Sequence, residues 1–365
     1  MYNELEGVEA LLTNVTLGRQ WLLQMGAGAE VAGVTIQLCM AYPRHALASL
    51  EMPTATQIRA SDDHVPGVHG GSSTVQWKMG YSSMLAWAIG LAPFKDNYWS
   101  SAQQPGSSCG TNAVELTPSL HNAASTFSAG PVSPGDGAGL SDVAQIMRAC
   151  TASGLLLHPS RPMTAIDAQV VGDVFGAGAG RVQGNVYATY SAVSGMWWGH
   201  ALAADLAQPY ALTPADFDSI TSDIALRGGA AAAAAPAATL AYSINATSFD
   251  PASLVVQPFS AAAPIALQAC ALADFQVWHT APVSPAAGGW ALLGELAKWV
   301  PVAEARFSDL EATGAGLAVT VAGQAGEVVP VTFYNSAAAQ ASTVTCVLPE
   351  SGRATASAPA LTCVE

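Results

Sequence analysis

The chain is 365 residues long, 51% hydrophobic and only 10% charged, enough for one large domain or two smaller ones with a substantial core. Its net charge of −14 argues against a nucleic-acid partner, because phosphate binding needs a basic surface. No apolar run reaches the roughly 18 residues that span a bilayer, and Met1-Tyr-Asn-Glu-Leu-Glu6 lacks the basic start and apolar run of a secretory signal.

In chain order, residues 4–28 read as a helix, with Leu5, Val8, Leu11 and Leu12 on one face and Leu22 and Met25 further on. Gly26, Gly28 and Gly33 are expected to break it. Residues 34–40 form a buried strand, and a connection with a short helix over 45–50 follows. Thr54-Ala-Thr-Gln-Ile58 reads as the next strand. It ends in Arg59-Ala-Ser-Asp62-Asp63 and opens into His64-Val-Pro-Gly-Val-His-Gly-Gly-Ser-Ser73. A helix over 82–90 runs into a short strand near Leu91. Residues 118–128 are helical, Gly130-Pro-Val132 is a short strand, and Ser141 is expected to cap a helix over 142–151.

Alternating helices and strands up to Pro162 imply a parallel sheet. A strand that ends in two carboxylates and opens into a Gly-rich loop is the usual layout of a catalytic acid in a (β/α)8 barrel. A complete barrel needs about 250 residues, so 1–162 holds only part of one. From about Ile166 the pattern becomes alternating and turn-rich, as in Gly316-Leu-Ala-Val-Thr-Val321 and Thr343-Val-Thr-Cys-Val347. The expected fold is therefore α/β plus all-β: a partial barrel over 1–162, then an antiparallel β-sandwich over 163–365. The Ala-rich stretch at 228–239 reads as a disordered surface insert.

Six cysteines, at 39, 109, 150, 270, 346 and 363, form no CxxC pair, and no metal or organic cofactor is suggested. Cys346 and Cys363 both lie in the last β segment, where a disulfide is expected. Asn14-Val-Thr16 and Asn245-Ala-Thr247 are glycosylation sequons. Together these lean toward a secretory compartment and leave the compartment open.

Several pieces between 35 and 162 occur in a telling order. They are Ile36-Gln-Leu-Cys-Met40, Gln57-Ile-Arg-Ala-Ser-Asp-Asp63, Ser82-Ser-Met-Leu85, Pro93-Phe-Lys-Asp96-Asn-Tyr-Trp99, His121-Asn-Ala-Ala124, Gly130-Pro-Val-Ser-Pro-Gly-Asp136 and Ser160-Arg-Pro162. The ordered series resembles the raffinose synthases and alkaline α-galactosidases, within the clan of retaining α-galactosidases. The resemblance implies that 1–162 holds barrel strands five to eight. It also implies retaining hydrolysis or transfer of α-linked sugars, α-galactosides first among them, with an oligosaccharide or glycoside as partner.

In that clan the acid/base Asp ends the sixth strand, four residues after an Arg. Arg59-x-x-x-Asp63 keeps the spacing, so Asp63 takes the role and Asp62 is the alternative. The bland reading of either is a turn cap. Arg59 binds a sugar hydroxyl or forms a structural salt bridge. Asp96 and Trp99 match the segment after the next helix. Trp77, Tyr98 and Trp99 are candidates to stack on a sugar, or are core. Lys95 reads as solvated. His121 matches a family His and is either functional or structural. Asp136 hydrogen-bonds substrate or closes the barrel. Cys39, Met40, Arg44 and His45 are lesser candidates beside the fifth strand.

The family's nucleophile ends strand four, which would lie before residue 1, and Glu4, Glu6 and Glu9 fall on a helix instead. Two arrangements satisfy this. Either the chain is the C-terminal part of a longer enzyme that holds the N-terminal half of the barrel, or it is a true half-barrel that requires a partner or has lost catalysis. The second makes a non-catalytic carbohydrate-binding pseudoenzyme the alternative function. A third reading places the function in the sandwich, as an assembly module. An isolated half-barrel would also expose sheet edges and an apolar face.

Overall fold

The computed structural model describes residues 7–67, 74–110, 112–176, 182–219, 222–223, 238–312, 314 and 316–365. Glu4, Glu6, the part of the expected loop at 68–73 and the Ala-rich insert up to 237 lie outside the described residues.

The first expected helix is two: α1 (Glu9–Thr13) and α2 (Val15–Ala32). Asn14 divides them by capping α2, its Oδ1 accepting from the Thr16 N–H at 3.0 Å and the Leu17 N–H at 3.3 Å. α2 continues through Gly26 and Gly28 and stops at Gly33, whose φ of 65° favours glycine. Gly26 is tolerated because Met52 packs against it: a Cβ there would meet Met52 Cγ at 3.0 Å.

β1 (Ile36–Leu38), α3 (Pro43–Ala48), β2 (Ala55–Arg59), α4 (Gly80–Ala88) and β3 (Ala92–Phe94) follow. The three strands form one parallel sheet, with Leu38 opposite Ile58 and Arg59 opposite Phe94. The Ala60 N–H extends that pairing to the Phe94 carbonyl at 2.9 Å. The strand expected at Gly130-Pro-Val132 does not form a ladder. Pro131 has no N–H to donate, and Gly130 sits so close to β3 that a Cβ would lie 2.4 Å from the Pro93 carbonyl oxygen. A single bridge, Tyr98 to Pro134, replaces it. Among the described residues the parallel sheet has three strands and does not close into a barrel. Val34, Met40, Leu47 and Leu50 are exposed on this part of the chain.

α5 (Pro118–Phe127) forms as expected, with Pro118 at its first turn. α6 (Val143–Ile146) is much shorter than expected. Its cap is Asp142 rather than Ser141, the carboxylate accepting from the Gln145 N–H at 3.0 Å.

The rest is antiparallel, but not one sandwich. β4 (Thr164–Ala165), α7 (Asp167–Phe175), β5 (Asn185–Val193), β6 (Met196–Ala204) and β7 (Tyr210–Leu212) come first. Then come β8 (Thr239–Ser243), β9 (Val255–Pro258), β10 (Ile265–Leu267), β11 (Gln276–Pro282) and β12 (Trp290–Gly294). Last are β13 (Phe307–Ala312), β14 (Leu317–Ala322), β15 (Val328–Asn335), β16 (Gln340–Val347), β17 (Arg353–Ala358) and β18 (Thr362–Val364). A six-stranded sheet runs β4-β5-β6-β11-β8-β9, and β7 pairs with β10. A three-stranded sheet (β12-β15-β16) and a four-stranded sheet (β13-β14-β17-β18) bury their inner faces in one core, where Leu292, Val331 and Phe333 meet Val319, Val321 and Ala356. A disulfide joins Cys346 on β16 to Cys363 on β18, tying those two sheets together. No helix among the described residues is long and apolar enough to cross a membrane.

The division at 162/163 does not separate two cores. Leu120, Phe127 and Leu157 share a cluster with Leu202, Val277 and Trp299. The seam is the segment between β12 and β13. The Trp299 indole N–H donates to Asn122 Oδ1, and the Trp299 backbone N–H to the Arg148 carbonyl at 3.1 Å. The Lys298 ammonium donates to the Met147 and Cys150 carbonyls at 2.6 and 2.7 Å. Arg306, buried, bridges Glu295 at 3.0 Å and Glu327 at 2.6 Å. Glu327 in turn accepts from the Ala152 N–H at 2.9 Å.

His200 on β6 and His279 on β11 are cross-strand partners and both fully interior, with their Nδ1 atoms 2.9 Å apart. Ser191 spends its single proton on the Val302 carbonyl, so His200 Nε2 must donate to Ser191 Oγ, 3.0 Å away. His200 Nδ1 is then an acceptor, and His279 Nδ1–H donates to it. Burial holds both rings neutral, lowering His200 well below its ordinary value and His279 to about 3.

Trp299→Ala removes a buried indole and strands Asn122 Oδ1, and should destabilise the protein by ~3–5 kcal/mol in urea unfolding. The histidine pair binds protons only when unfolded. Its contribution is complete above about pH 6.5, the ordinary value, and is lost as pH falls toward about 3. His279→Leu should therefore flatten the stability slope between these limits, by roughly 1.4 kcal/mol per pH unit. An unchanged slope in pH-dependent urea melts would contradict the neutral assignment.

Candidate carboxylate site at the ends of the parallel strands

Arg59 is the last residue of β2, and its side chain is nearly buried. Its Nη1 donates to Asp63 Oδ1 at 2.5 Å and lies 3.6 Å from Asp96 Oδ2. The first contact is local: four residues carry the chain out of β2 and bring Asp63 back over the strand end. The second is set by the sheet, because Asp96 follows β3 by two residues and β3 pairs with β2. The loop is stitched to β3 twice more. The His64 N–H donates to Asp96 Oδ2 at 2.8 Å, and the Asp96 N–H to Ser61 Oγ at 2.9 Å. Arg59, Asp63 and Asp96 thus come together at the strand end.

Asp63 is 59% exposed at its side chain. With Asp62 it lines a cavity of about 540 Å³ at the carboxyl ends of β1 and β2, walled by α3 and α4. That is where parallel sheets place ligands, and the volume suits a small molecule. Met40 lines it too, held at a φ of 49°, a left-handed conformation that non-glycine residues adopt rarely and often at functional positions.

Behind this layer lies a buried cluster. Glu115 Oε2 accepts from His64 Nε2 at 2.8 Å, and Glu115 Oε1 accepts from the Thr117 N–H at 2.9 Å. His121 Nε2 lies 3.4 Å from the same Oε1. Burial alone would raise the Glu115 pKa. The His64 hydrogen bond, the His121 charge and the Thr117 N–H outweigh it and leave the pKa lowered. His121 therefore packs in the interior with Glu115.

Lys95 is not solvated. It is fully buried, its ammonium donating to the Asn97 carbonyl at 2.9 Å and the Asp96 carbonyl at 3.2 Å. Burial pushes it down to about 7, against the opposing pull of Glu115 and Asp96.

Of the two readings of the aromatic residues, the structure places all three in the core. Trp99 is 4% exposed and set edge-on to His64, and Trp77 and Tyr98 are fully buried, so none presents a face to a sugar. Tyr98 instead accepts from the Asn122 amide at 2.6 Å. Asp136 stands apart in a closing role. Its oxygens take the Ser100 N–H at 2.8 Å, the Ser100 hydroxyl at 2.5 Å and the Gln104 amide at 2.9 Å, which leaves it a loop clamp. His45, buried, accepts the Tyr42 N–H at 3.1 Å and caps α3, Arg44 packs against Gly18 of α2, and Cys39 is exposed with a free thiol.

Glu115 and His64 were not among the sequence candidates. The available signal was a carboxylate three residues before Pro118, where a helix start offers N–H donors. Among the described residues no group of three His, Cys, Asp or Glu side chains is arranged to hold a metal.

Glu115→Ala should cost about 3 kcal/mol or more in thermal unfolding, because it strands several buried polar groups. Asp63→Asn keeps an amide oxygen that can still accept from Arg59, and should cost less than Glu115→Ala in the same measurement. No protein-family model matches this chain, and no curated protein matches it significantly.

Proposed function

We propose that the strand-end site acts on glycosides of α-linked sugars, α-galactosides first among them, with Asp63 as acid/base. One observation carries this reading: a nearly buried Arg ends a parallel strand, and an exposed carboxylate four residues later pairs with it at the wall of a small-molecule cavity. The resemblance to raffinose synthases and alkaline α-galactosidases adds to it. On that reading β1, β2 and β3 are barrel strands five, six and seven, and the 130–136 segment stands where the eighth would be.

Retaining chemistry needs two carboxylates about 5–5.5 Å apart. Protonated Asp63 gives its proton to the glycosidic oxygen as the bond to the anomeric carbon breaks. A second carboxylate takes the anomeric carbon as an ester. Asp63, now ionised, accepts a proton from water or from a sugar hydroxyl, whose oxygen displaces that ester. The resemblance assigns the second carboxylate to the family's strand four, and none of the site residues named above takes that role. Asp96 shares Arg59 with Asp63 and orders the guanidinium between them.

A second reading, binding of carbohydrate without turnover, is favoured by the ion pair itself. Arg59 Nη1 already occupies an Asp63 oxygen, an arrangement suited to holding a fixed loop for binding.

The test is hydrolysis and transfer assayed on an α-galactosyl oligosaccharide. Asp63→Asn should lower turnover by about 10²–10⁴-fold, with a smaller loss on a galactoside whose leaving group needs no proton. Full activity of the variant on the oligosaccharide removes the acid/base assignment. Saturable sugar binding with no turnover, in a preparation that also contains the second carboxylate, selects the second reading.

A further inference from the structure

The cavity beside Asp62 and Asp63 has a mixed wall. Arg59, Ser61, Asp62, Asp63, Lys78 and Ser82 give it charge and hydroxyls, and aliphatic side chains such as Ile58, Val75 and Leu85 line it as well. Tyr42 is the one aromatic side chain among the described residues of the wall. Trp77, Tyr98 and Trp99 are in the core.

The backbone brings Tyr42 to this place and holds it. β1 ends at Leu38, Met40 turns the chain with its φ of 49°, and Tyr42 arrives at the N-cap position of α3, with Pro43 opening the helix. The Tyr42 N–H donates to His45 Nδ1 at 3.1 Å, and the two rings meet edge to face with centroids 5.8 Å apart. His45 is buried, yet Tyr42 is 53% exposed. A rigid ring fixed by its backbone and by a buried neighbour gives a large contact surface at small entropic cost on binding.

A pyranose presents two kinds of surface to such a wall. Its hydroxyls pair with carboxylates, hydroxyls and cationic side chains, and its C–H bonds lie against aromatic faces. In galactose the C4 hydroxyl is axial. It leaves the C–H bonds of C3, C4 and C5 together on the opposite face, as one apolar patch. In glucose the C4 hydroxyl is equatorial, and the C–H bonds divide between the two faces.

Resting on the glycoside reading above, we propose that Tyr42 is the platform for the galactosyl ring and selects galactose over glucose. The ring carries the C3–C4–C5 patch, and Asp62 accepts from the sugar hydroxyls. Tyr42 is a specificity-determining residue, one that touches the sugar and takes no part in proton transfer.

The test is equilibrium binding to the full chain by ligand-observed NMR titration. The probes are methyl α-galactoside and methyl α-glucoside, which differ only in the configuration at C4. The galactoside should bind about tenfold tighter. Tyr42→Leu keeps apolar bulk without an aromatic face, and should weaken the galactoside about tenfold and remove the preference. Tyr42→Phe keeps the face and should preserve both affinity and preference, which a merely structural role of the hydroxyl would not allow. Because Tyr42 is half exposed, both variants keep the fold. Galactoside binding that is unchanged in Tyr42→Leu, or equal binding of the two sugars by the unsubstituted chain, overturns the platform and leaves the glycoside reading standing. No binding of either sugar overturns the glycoside reading and this inference with it.

Discussion

Burial of charge at one seam holds the molecule together. An ammonium and a guanidinium in the interior are tolerable only when every donor finds an acceptor. Lys298 meets this with the Met147 and Cys150 carbonyls, just beyond the end of α6, where a helix leaves carbonyls without partners. Arg306 meets it with Glu295, Glu327 and the Ala322 carbonyl. The carboxylates respond in opposite directions. Burial dominates at Glu295 and raises its pKa, whereas at Glu327 the Arg306, Ala152 and Gln324 hydrogen bonds overcome burial and bring it to about 2. Because these contacts join 147–152 to 295–327, the parallel sheet and the antiparallel sheets have a fixed relation.

The same logic separates scaffold from site around β2 and β3. Glu115, His64, His121 and Lys95 are interior and engaged with one another or with backbone. Such a group rigidifies a loop by making any other arrangement leave a polar atom stranded. His64 couples the two layers directly. Its ring holds Glu115 and its backbone N–H holds Asp96, so the buried cluster sets the position of the carboxylate that shares Arg59. Asp63 and Asp62, by contrast, face the cavity.

Local features were legible in the sequence, and features set by distant partners were not. The Arg59-x-x-x-Asp63 pair is a contact at four residues' spacing, so it could be read before any fold was known. Pro118 announced α5, and the alternation Leu317, Val319, Val321 announced β14, whose buried face follows it. The strand at Gly130 failed because its neighbour β3, not its own composition, decides whether it can pair. The antiparallel strands were legible, and two of their sheets share one core, but alternation marks strands without saying which sheet they join. Trp99 looked like a sugar platform for its residue type, yet the space around His64 and Glu115 absorbs it. Gln76 left no mark at all. Its meaning depends on the Asp62 and Asn97 carbonyls that orient it, one of them 21 residues away.

Gln76 and Arg59 together show how the strand end is held. Backbone carbonyls fix the Gln76 amide, and they belong to residues adjoining the two carboxylates, Asp62 itself and Asn97 after Asp96. Arg59 is fixed by its position at the strand end and by carboxylates on either side. The loop after β2 therefore has anchors on its own strand and on the segment after β3. Its position follows from backbone and buried partners, and the exposed Asp63 carboxylate is carried by that frame.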